Sequence, residues 1–313
     1  MVSFVEMQRE SGFFSANGVK IFEQRWAPEG GPKAAVLLVH GYAEHSERYA
    51  HVAEALTGRG YAVEAFDLRG HGRSEGRRVL VRSLDEHLAD LDGMLARVRQ
   101  RYPALPVFLL GHSMGGAIVT LFTIRRTPDV RGVVLSGPGI SSPKKTPRAI
   151  QGLLLVIGRL FPRLGLRKLE AGEVSRDPEV ARRYDSDPLV YRGKMPAGTL
   201  AALIRAGREI HARMEEFSAP SLLLLHGSAD SLTDPEGSRE LAERASSPDK
   251  ELKLYEGLYH EVFNEPERNR VLADLVAWLD ARRGGQAGRD GAGRSYREEG
   301  SFRPTEARTQ PPS

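Results

Sequence analysis

The chain contains no cysteine in 313 residues, which excludes disulfide staples and thiolate metal sites and removes any reason to invoke an oxidising compartment. No apolar run reaches the length of a transmembrane helix. Residues 1–11 are polar and lack both the basic and the apolar region of a secretory leader, so a cytoplasmic location is expected. Acidic residues are scarce in one place. Between positions 141 and 170 Lys144, Lys145, Arg148, Arg159, Arg163, Arg167 and Lys168 face the single acid Glu170, although the whole chain is only +4. Nucleic-acid binding would want such a patch interleaved with exposed aromatics or a recognised motif. The neighbouring residues form a strongly apolar helix instead, which points to lipid.

With 40% hydrophobic residues the chain can build one large core. Phe13-Phe14-Ser15-Ala16-Asn17-Gly18-Val19-Lys20-Ile21-Phe22 reads as two strands joined by an Asn-Gly turn. Apolar runs at 34–39, 61–66 and 107–110, and strands at 132–136, 221–225 and 252–255, alternate with helical patterns. Continuous apolar strands separated by helices imply a mostly parallel sheet covered on both faces. Ser83-Leu84-Asp85-Glu86 reads as a capping box before a long helix with Leu84, His87, Leu88, Leu91, Leu95 and Val98 on one face.

The alternation breaks between Gly137 and Pro196, where no parallel strand is legible. This gives an α/β core in two parts, 1–136 and 201–283, with a helical cap inserted at 137–200. The tail, 284–313, has almost no aliphatic residues and is expected to be disordered.

The chemistry centres on Gly111-His112-Ser113-Met114-Gly115-Gly116, set between a strand and a helix. A strand that turns at once into a helix strains its corner residue, and small flanking residues leave room for nearby backbone. Ser113 then stands above the sheet edge, with the free N–H groups of the following helix behind it. A serine hydroxyl needs a base, and the base needs an acid to fix its tautomer. In this topology acid and base follow later strands, which selects Asp230 and His260. Asp234 competes for the acid's place, but Asp234-Pro235 is a helix start, with an N-cap and proline at the first turn. The oxyanion is expected on the backbone N–H of Met114 and on a second N–H from the loop His40-Gly41-Tyr42. His40 and His112 are expected to support these loops.

Beyond the elbow, the matching segments are His40-Gly41-Tyr42-Ala43-Glu44-His45-Ser46-Glu47-Arg48-Tyr49, Phe66-Asp67-Leu68-Arg69-Gly70-His71-Gly72-Arg73-Ser74-Glu75-Gly76, Tyr184-Asp185-Ser186-Asp187-Pro188-Leu189, Leu225-His226-Gly227-Ser228-Ala229-Asp230 and Tyr255-Glu256-Gly257-Leu258-Tyr259-His260. Across residues 10–283 the chain resembles the α/β-hydrolases of the monoacylglycerol lipase type. The resemblance implies an α/β-hydrolase fold, with Ser113, Asp230 and His260 as nucleophile, acid and base, and Tyr42 and Met114 as oxyanion donors. It also implies that Glu44 and Arg48 shape the polar end of the pocket, where a glycerol head group lies. Two positions depart from the family. Tyr42 replaces a small residue and narrows the acyl pocket or the leaving-group side. Phe263 stands where animal members have a second histidine beside the head group.

The reaction implied is hydrolysis of a monoacylglycerol to glycerol and fatty acid through an acyl-enzyme, with no metal or organic cofactor. A lysophospholipase, a broad carboxylesterase and a non-enzymatic ligand-binding relative are the alternatives, and the oligomeric state is not legible. In the segment 148–161, Ile150, Leu153, Leu154, Ile157, Leu160 and Phe161 form one stripe, while Leu155 and Val156 spill onto the other face. Either this helix packs on the sheet, or its apolar excess and basic flanks rest on an anionic membrane, making the protein peripheral to it.

Overall fold

The computed structural model describes residues 7–140 and 147–284. Lys144 and Lys145 of the basic run, and the tail from 285 onward, lie outside the described residues.

The chain opens with the expected hairpin, β1 (Met7–Ala16) and β2 (Val19–Pro28), whose last pair is Ala16 with Val19. Asn17 and Gly18 both have positive φ, 50° and 78°, as a type I′ turn requires. Then follow β3 (Ala34–Val39), α1 (Ala50–Thr57), β4 (Tyr61–Phe66), α2 (Asp85–Arg101), β5 (Val107–His112), α3 (Met114–Arg126) and β6 (Gly132–Ser136). After β6 come α4 (Arg148–Leu160), β7 (Gly165–Lys168), α5 (Pro178–Ser186), β8 (Lys194–Pro196) and α6 (Ala197–Ala212). The chain returns to the sheet with β9 (Ser221–Gly227), α7 (Pro235–Arg244), β10 (Asp249–Tyr255) and α8 (Arg268–Arg282).

Among the described residues eight strands form one sheet in the order β1-β2-β4-β3-β5-β6-β9-β10. From β4 to β10 every neighbouring pair is parallel; β2 alone runs against them, pairing antiparallel with both β4 and β1. The central strands read as unbroken apolar runs because each face has its own core. Leu37, Leu109, Val133 and Leu224 pack toward α2, α3, α6 and α7, while Leu38, Leu110, Val134 and Leu225 pack toward α1 and α8. Side chains alternate across a strand, so both phases of the pattern must be apolar. Each such leucine contributes about 2 kcal/mol on burial.

Two local expectations need correction. There is no capping box at α2. Ser83 Oγ instead accepts from Asp85 N–H at 3.2 Å, and Glu86 reaches Arg69 at 3.7 Å. Leu84 is drawn into the core, which puts the first helical turn one residue later than a Ser83 cap would set it. The block between β6 and β9 also contains strands: β7 and β8 pair antiparallel in a separate two-stranded sheet. They are too short and polar to show in the apolar pattern.

The orientation of α4 was not legible. It packs through Gln151 and Gly158 on α6, where Gln151 Oε1 accepts from Arg208 Nε at 2.8 Å. The small residue allows the close approach, so the bulky side chains face outward. Ile150, Leu153, Val156, Leu160, Phe161 and Leu164 are 49–63% exposed. No helix among the described residues is long and apolar enough to cross a membrane.

Candidate active site

Because β5, β6, β9 and β10 are parallel neighbours, their carboxyl ends meet along one edge. Ser113 follows β5, Gly137 follows β6, Asp230 follows β9 and His260 follows β10. Ser113 sits between β5 and α3 with φ 54° and ψ −118°, a conformation that costs a non-glycine residue about 1–3 kcal/mol. The sequence permits it through Gly115: a β-carbon there would lie 2.2 Å from the Val39 carbonyl oxygen, inside the backbone of β3. The corner is held by Ser113 N–H donating to Ser136 O at 3.0 Å, and by Gly139 N–H donating to Ser113 O at 2.8 Å.

Asp230 Oδ2 lies 2.7 Å from His260 Nδ1. Its other contacts leave it saturated as an acceptor: Oδ1 takes the N–H groups of Leu232 at 2.8 Å and Thr233 at 3.0 Å, and Oδ2 takes Thr233 Oγ1–H at 2.8 Å. His226 Nε2 stands 3.1 Å from the same oxygen and its Nδ1 2.7 Å from Ser238 Oγ. A carboxylate cannot donate, so both imidazoles point an N–H at Asp230 and His226 accepts from Ser238. Burial works against the Asp230 charge, but the two histidines and their hydrogen bonds hold its carboxyl far below the usual range. Burial likewise opposes a charged His260, yet Asp230, Glu261 and Glu44 outweigh it and raise the imidazole above its ordinary value. With Nδ1 donating to Asp230, Nε2 remains to take a proton.

Asp234 has the structural use read from its motif: it is the N-cap of α7, accepting from Glu236 N–H at 3.2 Å, with Pro235 in the first turn.

The loop after β3 comes against Ser113, since a β-carbon on Gly41 would lie 3.0 Å from Ser113 Cβ. Tyr42, next in the chain, therefore shares this edge with Met114, the first residue of α3. His40 braces the loop. Its Nε2 accepts from Leu68 N–H at 2.8 Å, which leaves Nδ1–H to donate to Gly41 O at 2.8 Å. His112 is buried with its ring 4.8 Å from that of His260 and 6.1 Å from that of Tyr49, and burial lowers its pKa to about 4.

Glu44 and Arg48 lie beside these loops, but as a buried ionic network rather than an open polar wall. Glu44 Oε1 accepts from Gly41 N–H at 2.6 Å and from Tyr49 O–H at 2.8 Å, and Oε2 pairs with Arg48. Arg48 turns its other side to Glu261, Nη1 and Nη2 each 2.7 Å from a carboxylate oxygen. Phe263 is a correction. Its side chain is 2% exposed and packs in the core layer under α1 and α8, where only its carbonyl makes a polar contact, with His51 Nε2 at 2.9 Å. An apolar ring at this position has more to gain in that core than at a wet head group.

Glu261, Thr233 and His226 were missed by sequence reasoning. Asp230-Ser231-Leu232-Thr233 carries the signal for one of them, an Asx turn closed by Leu232 N–H and followed by a threonine whose hydroxyl folds back on the carboxylate. Glu261 had no local signal, because its partner is 213 positions away. Among the described residues no group of three or more His, Asp and Glu side chains is arranged to hold a metal ion.

A family model described as serine aminopeptidase, S33 (Hydrolase_4) matches residues 30–267. The chain is 43% identical over 270 residues to a monoacylglycerol lipase of Mycolicibacterium smegmatis, covering 86% of this chain and 96% of the relative. It is 36% identical over 271 residues to the monoglyceride lipase of Homo sapiens, covering 86% and 89%. The crystal structure of a Paleococcus ferrophilus monoacylglycerol lipase superposes with a TM-score of 0.72 at 34% identity, covering 88% of this chain and 99% of that one.

Proposed function

This chain belongs to the α/β-hydrolase family described as serine aminopeptidase, S33, with monoacylglycerol lipases as its relatives, and from that premise we infer its reaction. It is a carboxylic ester hydrolase that cleaves monoacylglycerols to glycerol and free fatty acid. The observation that carries our reading of the site is the 2.7 Å Asp230–His260 pair, beside a serine held at positive φ on the same sheet edge.

We propose that Ser113 Oγ attacks the ester carbonyl while His260 Nε2 takes its proton. The oxyanion that forms accepts from the N–H groups of Tyr42 and Met114, each worth ~10²- to 10³-fold in rate. Collapse expels glycerol, which leaves with the proton from His260, and an acyl group remains on Ser113. Water then gives a proton to His260 and attacks the acyl carbon, releasing the fatty acid and restoring the serine. Asp230 accepts from Nδ1–H throughout and stabilises the imidazolium.

Residues 137–200 act in this reading as a cap. Tyr191 N–H donates to Ala43 O at 2.8 Å and Asp187 Oδ2 lies 2.8 Å from His45 Nε2, both on the loop after β3. On the base side Glu261 N–H donates to Val174 O at 2.8 Å. The exposed apolar face of α4 is the cap's contact with a lipid surface, flanked by the exposed Arg148, Arg159 and Arg163. Cationic flanks around an apolar helix face suit an anionic bilayer, where the insoluble substrate resides. In flotation with phosphatidylglycerol vesicles, Leu153→Ser with Phe161→Ser is expected to abolish co-migration and spare hydrolysis of a short-chain soluble ester. Co-migration equal to that of the unaltered protein would remove the membrane contact.

The reaction itself is tested with a monoacylglycerol chain-length series beside matched lysophospholipids and methyl esters. Glycerol esters are expected to lead in kcat/KM. A lead for lysophospholipids or methyl esters would keep the hydrolase and move its specificity.

A further inference from the structure

Glu261 follows the base directly and serves no other element of the reaction. Its side chain is 5% exposed, and its oxygens accept from Arg48 Nη1 and Nη2 and from Asn264 Nδ2, all at 2.7 Å. The guanidinium it holds is 10% exposed and is shared with Glu44, whose other oxygen accepts from Gly41 N–H. A continuous chain of contacts therefore runs from the loop after β10, through Glu261, Arg48 and Glu44, to the peptide beside Tyr42. The Arg48 guanidinium also lies 4.9 Å above the ring of Tyr184 in α5.

We propose that Glu261 is a positioning residue for His260: through Arg48 and Glu44 it ties the base loop to the oxyanion loop. This rests on the serine-hydrolase reading above. The base and the Tyr42 oxyanion donor sit on loops more than two hundred residues apart in sequence, and nothing in the parallel sheet fixes one against the other to within the fraction of an ångström that catalysis needs. A buried bidentate pair sets that distance, because guanidinium and carboxylate meet in one planar geometry. Charge adds to the effect. Two carboxylates around one guanidinium leave a net negative charge beside the imidazole, which favours the imidazolium that forms in the transition state. The groups facing His260 are Asp230 after β9, Glu44 after β3, His112 at the end of β5 and Glu261 itself; the two glutamates act in the same sense as Asp230.

A contact with substrate is the competing role, and the geometry disfavours it because both Glu261 oxygens are already occupied.

The test is Glu261→Gln and Glu261→Asp in the full chain, with Ser113→Ala as the blank, assayed on a short-chain soluble monoacylglycerol across pH. For Glu261→Gln, kcat is expected to fall about 10²-fold, the scale of a misplaced reacting group, with KM within about twofold. The acid limb of kcat/KM is expected to move to lower pH, because a negative charge that favoured protonated His260 is gone. Glu261→Asp keeps the charge, so its acid limb is expected to stay in place while kcat recovers in part; should the glutamine variant fail to fold, Glu261→Asp decides against the unaltered protein, with kcat expected to fall at unchanged melting temperature and KM, and an unchanged kcat or a fall that tracks melting temperature overturning the proposal. A raised KM with kcat intact would overturn the proposal in favour of substrate contact. Lost melting temperature and kcat with an unmoved acid limb would overturn it in favour of bulk stability. Wild-type kinetics in Glu261→Gln would overturn it outright, whereas an active Ser113→Ala would instead overturn the serine-hydrolase reading.

Discussion

Ser113→Ala is expected to lower monoacylglycerol turnover by about 10⁶-fold, because without the nucleophile the base has nothing to activate and the oxyanion donors act on an intermediate that no longer forms. The substitution removes one oxygen from the elbow and leaves its backbone contacts, Ser113 N–H to Ser136 O and Gly139 N–H to Ser113 O, available to alanine. Melting temperature and KM should therefore change little. The measurement is single-turnover and steady-state hydrolysis with a fluorophosphonate probe as a second readout, labelling the unaltered protein and not the variant. Residual turnover above about one part in a thousand would mean that another group attacks the ester, since the oxyanion hole and binding alone retain only a small remainder of catalysis.

Asp230→Asn is the second large effect, an expected loss of about 10⁴-fold in kcat with binding retained. Asparagine preserves the shape and keeps an oxygen to accept from the N–H groups of Leu232 and Thr233. Its amide nitrogen, however, now donates toward His260 Nδ1 and His226 Nε2, where the carboxylate accepted. Either the His260 tautomer flips, putting the proton on Nε2 where the base must be free, or two donors face each other in a buried site. Loss of the charge also lowers the His260 pKa. The sign follows: His260 must be neutral to act as base, so the acid limb of the residual kcat/KM profile shifts toward lower pH. Asp234→Ala is the control, costing about 1 kcal/mol of stability through its lost N-cap bond and leaving kcat unchanged. If Asp234→Ala and Asp230→Asn exchanged these outcomes, the acid would be misassigned.

The elements whose residues serve one local purpose were legible before any coordinates. Apolar runs long enough to be buried on both faces marked β3, β4, β6 and the core of β9; Asn17-Gly18 marked the hairpin turn; Asp234-Pro235 marked the start of α7. The short antiparallel pair β7 and β8 escaped notice because Gly165–Lys168 and Lys194–Pro196 have no apolar alternation to read. Ser83 misled because a capping box is a local preference, and burial of Leu84 in the core outweighed it.

From the sequence alone came the alternation of the main-sheet strands with their helices, the strained serine corner and the choice of Asp230 and His260 as residues that follow later strands. These depend on neighbours within a few positions, where steric and hydrogen-bonding rules act directly on the chain. The tertiary structure decided what depends on distant partners: Arg48 between Glu44 and Glu261, Thr233 and His226 on Asp230, Phe263 turned into the core, and α4 with its apolar face outward. The reason is that a charge or an apolar face carries no address. Its partner is chosen by which loops the parallel sheet brings to one edge, and that choice exists only once the strands are aligned.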